Sequence, residues 1–378
     1  MRRMHNPRAS RAPYTERERR VVSVGHGLEA QRELAAWAEY APTPLRQLPH
    51  LAQALGVAKI HYKDESRRFG LGSFKALGGA YASAQALRRF CERTGQPLAD
   101  HSTSRPTLSC ATDGNHGRAV AFAARRFGCA CVVFMHEHAP QEKEGAIRAL
   151  GARIVRIPGT YDDSVAVARE TSAANGWIPI MDTSQLELDE TVIDVMSGYA
   201  VIALEILTQG LSQLPTHVFV QAGVGGLAAA MAGIFSEQCA ASRPTMIVVE
   251  PQRAACVLAA VAAGRPQRLQ GDLSTAMEML SCGEVSRPAW TILEQRVDAC
   301  VALDDASARA AQWRLQQRVP EPLDVGVSGA ASVAGLIACT SDASARAALD
   351  LGAASRVLVF GTEAADRSAA CGETGCPR

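Results

Sequence analysis

From Thr107 onward the chain alternates short apolar runs with helical ones: strand TLSCAT, turn DGNHG, helix RAVAFAARRFG, strand CVVFM, helix QEKEGAIRALG, strand RIVRI, a helix from Tyr161 to Asn175, and strand WIPI. A strand that is followed each time by a helix has to return by a right-handed crossover, so successive strands lie parallel and the helices cover both sheet faces. The pattern resumes with strand THVFVQAG, helix LAAAMAGIF and strand TMIVVE, and returns once more in strand SRVLVFG. Upstream, Gly27 to Tyr40 predicts a helix stopped by Pro42 and Pro44. LAQAL then gives a short helix ending at Gly56, followed by a strand through Ile60 to Lys63 and a loop, RRFGLGS, that turns into a helix at Lys75.

Composition narrows the function classes. A chain of 378 residues predicts two or three lobes, and 47% hydrophobic with 20% charged residues is ordinary for a globular enzyme. Lys+Arg 39 against Asp+Glu 38 leaves +1, with no electropositive field to hold a nucleic acid. The 11 cysteines are scattered without CxxC spacing, which excludes a zinc motif, predicts no metal site and suits a reducing cytoplasm. Val218 to Phe235 is apolar enough to raise the question of a membrane span, but Gln221 and four glycines argue against one. Residues 1–20 are arginine-rich and lack the apolar run of a secretory signal, so a loose, solvated basic arm is expected there.

Three segments could carry chemistry. Gly223-Val224-Gly225-Gly226-Leu227 lies between an apolar strand and an Ala-rich helix, where glycine backbone and unpaired N–H groups can take a phosphate. The same glycines, with Ala228 and Glu250, also fit a dinucleotide fingerprint, and a turn that only lets helix and strand pack is a third reading. Lysine occurs only at Lys59, Lys63, Lys75 and Lys143. Lys75, at the mouth of a helix in a mostly apolar stretch, is the candidate for a Schiff-base amine, with a pKa expected to be drawn down toward about 7 to 8. Thr112-Asp113-Gly114-Asn115-His116-Gly117 is, by itself, better explained by a cap and turn than by a site, with His116 an ordinary polar turn residue.

Together and in this order, GSFKALGGAYA, TDGNHGRAVA and AGVGGLAAA resemble the fold-type II pyridoxal-phosphate enzymes, and in detail the diaminopropionate ammonia-lyases. YAPTPL, KDESRRFGLGSFK, MDTS, PTHVFVQAGVGG and LSCGE extend the resemblance over residues 37–363. It implies an α/β fold of two open, twisted, mostly parallel sheets flanked by helices, with pyridoxal 5'-phosphate in the cleft between a large domain (21–84 and 205–378) and a small one (85–204). Lys75 would carry the cofactor, residues Gly223 to Leu227 its phosphate, Asn115 its ring oxygen and Thr362 its pyridine nitrogen. The implied partners are a small amino-acid substrate and a second copy of the chain.

Two departures from the resemblance stand out: Ala364 where a glycine is expected after Thr-Glu, and Val327 where relatives carry an acid before Ser-Gly-Ala. The implied reaction is α,β-elimination of 2,3-diaminopropionate, D and/or L, to pyruvate and two ammonia, with Lys75 removing the Cα proton. Asp113 stands where hydroxyl-eliminating relatives have small neutral residues, and it rewards a β-ammonium: at about 4 Å and an effective dielectric of about 20 the attraction is roughly 4 kcal/mol before desolvation. Asp182 in MDTS is the second acid, with a strand-end turn residue as its bland alternative, and Asp113 could serve the D isomer from the face opposite Lys75. The alternatives are a threonine or serine dehydratase of the same fold, a non-catalytic ligand-binding relative, and an NAD-dependent oxidoreductase built on Gly223, Gly225, Ala228 and Glu250.

Overall fold

The computed structural model describes residues 1–96, 105–112, 114–137, 139, 141–318 and 322–365. The strands are β1 (Arg2–His5), β2 (Leu45–Gln47), β3 (Lys59–Asp64), β4 (Thr107–Ala111), β5 (Ala130–His136), β6 (Arg153–Ile157), β7 (Ile178–Pro179), β8 (His217–Gln221), β9 (Thr245–Pro251), β10 (Ala299–Leu303) and β11 (Arg356–Gly361). They form one sheet in the order β1-β10-β9-β8-β11-β3-β2 and a second in the order β6-β5-β4-β7. The small sheet is wholly parallel, and in the large one only β1 and β2, at the two edges, run antiparallel to their neighbours. The expected α/β architecture of two mostly parallel sheets is therefore present.

Both faces of each sheet are covered, and the strands show why. In β9, Met246 and Val248 join one apolar core while Ile247 and Val249 join the other; in β11, Leu358 and Phe360 face one side and Val357 and Val359 the opposite one. Side chains alternate across a strand, so a strand apolar at every position needs helices on both faces. In the small sheet Val132 and Phe134 point toward the helix Tyr161–Asn175, and Cys131, Val133 and Met135 toward the main core.

Chain passes between the sheets through packed helices. The divisions expected after residues 84 and 204 fall inside two continuous helices, Lys75–Thr94 and Glu190–Thr208, which lie against one another. Close approach is built in at Gly78, where a Cβ would stand 2.4 Å from the Tyr199 ring. Glu190–Thr208 is also the described helix long and apolar enough to cross a membrane, and 72% of its most apolar window is buried within the protein. The apolar stretch flagged in the sequence, Val218 to Phe235, is divided between β8 and the helix Gly226–Cys239.

The loose basic arm expected over residues 1–20 is corrected by the structure. β1 pairs along β10, Asn6 Nδ2 donates to the carbonyls of Glu294 and Val297 at 2.9 and 2.8 Å, and Tyr14 is buried. Thr15 caps a short helix, Glu16–Arg19, whose Glu18 meets Arg296 with both carboxylate oxygens, at 2.5 and 2.8 Å. The arginines suggested solvation, but the partners that order this segment lie some 280 residues away, where local composition carries no trace of them.

Breaking a buried ion pair by removing one partner leaves an uncompensated charge. Arg296→Met is expected to lower the unfolding free energy by about 3 kcal/mol or more, measured by urea denaturation; a loss below about 1 kcal/mol would place the pair among weak surface bridges.

Candidate active site

Lys75 is aimed by its loop. Residues 68–72 turn through positive φ at Phe69, Gly70 and Gly72, and the loop is then pinned to the end of β11: Phe74 N donates to Thr362 O at 3.1 Å, Ser73 bridges Glu363, and Ala364 N donates to Gly72 O at 2.9 Å. The helix Lys75–Thr94 begins at once, so the lysine leaves its first turn. Upstream, Arg68 binds Glu65 and Glu205 with contacts of 2.8 to 2.9 Å, and Lys63 Nζ reaches Glu205 at 2.6 Å, all of them buried. The loop therefore rests on a saturated ionic network.

Lys75 projects into a cavity that Tyr161, Asp182, Tyr199 and the Gly223–Leu227 loop also line. Lys75 is its only lysine: Lys63 belongs to the buried network, Lys143 pairs with Glu278 at 3.1 Å, and Lys59 is exposed on β3. Lys75 Nζ bonds to Asp182 Oδ2, and Tyr161 donates to Asp182 Oδ1 at 2.9 Å. Burial by itself disfavours the ammonium, but the Asp182 charge outweighs it and holds the lysine pKa well above its usual value. The depressed pKa expected from the sequence is thereby corrected for this state, because the counter-charge was invisible in the local sequence. Burial likewise pushes the Asp182 carboxyl up, and Lys75, His116 and Tyr161 together hold it well below the usual carboxylate range.

The glycine loop forms the opposite wall. Gly225 has φ +93 and caps the helix Gly226–Cys239 without a side chain; a Cβ there would stand 2.8 Å from Leu293, and one on Gly223 would stand 2.9 Å from Cys282 Sγ. Gly223, Val224, Gly225, Gly226 and Leu227 all line the cavity, with unpaired N–H groups at the head of the helix. Such a cradle suits a phosphate, and the amine across from it suits an aldehyde carried on the same molecule. Asn115 and Thr362 complete the lining; Asn115 Nδ2 donates to Glu363 Oε2 at 2.6 Å, and Thr362 Oγ1 accepts from Gln221 Nε2 at 3.0 Å. Asp113 lies outside the described residues, although its neighbours Thr112 and Gly114 both line the cavity.

Several lining residues were not singled out by the sequence. His116 is buried, with Nε2 2.8 Å from the Ile180 carbonyl oxygen, rather than an ordinary turn residue. Tyr161 read only as the start of a helix, and Tyr199, whose ring lies 4.8 Å from that of Phe74 at a tilt of 56°, was passed over. The two departures are absorbed quietly. Ala364 has no positive φ and makes ordinary contact at 3.6 Å with the Cβ position of Gly72, and Val327 packs against the second core. Among the described residues no cluster of three or more His, Cys, Asp or Glu side chains could hold a metal. Glu250, cast as a ribose-binding acid in the dinucleotide reading, is fully buried and accepts from Val257 N at 2.7 Å and Leu258 N at 2.9 Å. Its carboxylate serves a helix start.

Comparison with known proteins points the same way as the cavity. Residues 36–363 match the family described as pyridoxal-phosphate dependent enzyme. The diaminopropionate ammonia-lyase of Salmonella typhimurium is 36% identical over 300 residues, covering 76% of this chain and 74% of that one. Its counterpart in Escherichia coli K12 is 37% identical over 281 residues, covering 72% and 70%. The solved Escherichia coli diaminopropionate ammonia-lyase in complex with an aminoacrylate-PLP azomethine intermediate superposes with a TM-score of 0.86 at 32% identity, covering 96% of this chain and 93% of that one. The biosynthetic threonine dehydratase of Escherichia coli K12 is more distant, at 28% identity, and this chain covers 52% of it.

Burial pushes the Glu250 carboxyl up to about 8, against two backbone N–H groups that lower it. A group whose folded pKa is raised holds more protons folded than unfolded, so stability falls as pH climbs from about 4.5 to about 8 and levels off above. In Glu250→Gln the urea midpoint is expected to lose that part of its pH dependence between about pH 5 and about pH 8. An unchanged slope would contradict the buried acid.

Proposed function

The chain belongs to the pyridoxal-phosphate dependent enzymes, and from that membership we propose that it is a carbon–nitrogen lyase eliminating ammonia from 2,3-diaminopropionate, D and/or L. With one water, the substrate becomes pyruvate and two ammonia. One observation carries the reading: the cavity's single lysine, its aspartate partner and the glycine cradle line one cavity. The similarity to diaminopropionate ammonia-lyases over nearly the whole chain supports the substrate.

When bound, pyridoxal phosphate supplies an electron sink for the charge left at Cα. This chain's residues do the rest. The Gly223–Leu227 loop and the head of the following helix hold the phosphate, and Asn115 donates to the ring oxygen. Thr362 accepts from Gln221, which leaves its own O–H to donate to the pyridine nitrogen. Lys75 anchors the cofactor and, as the free amine, takes the Cα proton on its side of the substrate. Asp182 recognises the second ammonium, and Asp113, between two lining residues, takes the Cα proton of the D isomer from the opposite face.

The nine described cysteines form no disulfide with one another, which supports a reducing, cytoplasmic setting. A homodimer is the proposed assembly, with the cofactor between a large unit (21–84 and 205–378) and a small one (85–204).

Purified protein offered D- and L-diaminopropionate, serine and threonine is expected to prefer diaminopropionate by at least about a hundredfold in kcat/KM, with two ammonia released per pyruvate. A preference for threonine or serine would make it a dehydratase, and no turnover of any substrate would leave a binding protein. Asp113→Asn is expected to cost the D isomer about a hundredfold or more and the L isomer far less; equal losses would remove its assigned role.

A further inference from the structure

Among the described residues Asp182 has two hydrogen-bond partners, and only one of them is the lysine. Oδ2 meets Lys75, while Oδ1 accepts the Tyr161 hydroxyl at 2.9 Å. The elimination as derived gives Tyr161 no task. We propose that Tyr161 is a positioning residue that sets selectivity for a substrate with a second ammonium group: by holding Oδ1, it leaves Oδ2 as the carboxylate oxygen turned to cations in the cavity. The proposal rests on the lyase reading and deepens it.

Three features of the surroundings favour this role. Tyr161 is the first residue of the helix Tyr161–Asn175, whose start is fixed by a capping box in which Thr160 and Asp163 bond each other's backbone N–H. Its backbone is thus set before its side chain reaches across. The phenol is also neutral, so it orients the carboxylate through a charge-assisted hydrogen bond without neutralising it. An arginine or lysine in that place would compete with the substrate for the same charge. Finally, the ring stands between two spaces, since Tyr161 lines both the catalytic cavity and a neighbouring one bounded by Asp162, Asp272, Leu273 and Gly283. Losing the hydroxyl would let the Asp182 carboxylate rotate and let water from that second space reach it.

A carboxylate held at one oxygen offers a directed site for one cation. With Lys75 committed to the cofactor, Oδ2 would be left to receive the substrate's second ammonium. A substrate lacking that nitrogen gains nothing from the arrangement.

Tyr161→Phe keeps the ring and removes the hydroxyl. For diaminopropionate, KM is expected to rise about tenfold with kcat within about twofold, and for β-chloroalanine, which eliminates to pyruvate without a second ammonium, kcat/KM is expected to change less than about twofold. Equal losses on both substrates, or none on either, would overturn the proposal. Calorimetric titration of diaminopropionate and of alanine into each holoprotein separates this idea from the lyase reading. A wild-type preference for diaminopropionate over alanine that disappears in Tyr161→Phe supports the positioning role whatever the turnover, and the same preference in both proteins, or none in either, contradicts it. Absence of diaminopropionate turnover by wild-type protein would overturn the lyase reading alone.

Discussion

An ammonium drawn out of water stays charged only if a counter-charge stands beside it, and Asp182 supplies that charge to Lys75. The pair draws its halves from two parts of the fold. Lys75 leaves the head of a helix pinned to the end of β11 in the large sheet, and Asp182 follows β7 at the edge of the small sheet. The contact therefore reports the relative placement of the two sheets, and the glycine cradle after β8 has meaning only because this amine is delivered opposite to it. Every other functional assignment inherits its geometry from that arrangement.

Holding the amine there takes an apparatus larger than the site. The loop before Lys75 runs through left-handed backbone and would be free to wander if it were anchored at one end only. Behind it, Arg68, Glu65, Glu205 and Lys63 neutralise one another in the interior, and ahead of it Thr362, Glu363 and Ala364 fasten the backbone. Buried ion pairs of this kind add little net stability compared with apolar packing, but they accept few alternative geometries. An enzyme that must keep one nitrogen within reach of a cofactor and a substrate gains from that restriction.

Much of this was legible in the sequence, for identifiable reasons. Strand–helix alternation announces parallel sheets because the period of the apolar residues changes with each element. Lysine is scarce here, so one lysine at a helix mouth could be picked out, and the glycine loop could be located between a strand and a helix. The resemblance carried Asn115 and Thr362 to the cavity. What escaped depended on contacts between distant segments. Tyr161 looked like a helix start because nothing local shows that its hydroxyl meets Asp182, and His116 looked like a turn residue because its partner is the Ile180 carbonyl in another strand connection. The N-terminal segment was misjudged for the same reason: the charge that orders it is Arg296. The raised lysine pKa was missed because a residue's own neighbours in sequence say little about the charge facing it in space.

The most direct test is chemical. Borohydride reduction of the protein reconstituted with pyridoxal phosphate, followed by peptide mapping, fixes the cofactor to whichever amine had condensed with its aldehyde. The account predicts a phosphopyridoxyl group on the peptide carrying Lys75 and on no other. Label on Lys59, Lys63 or Lys143, or a protein that takes up none, would contradict it.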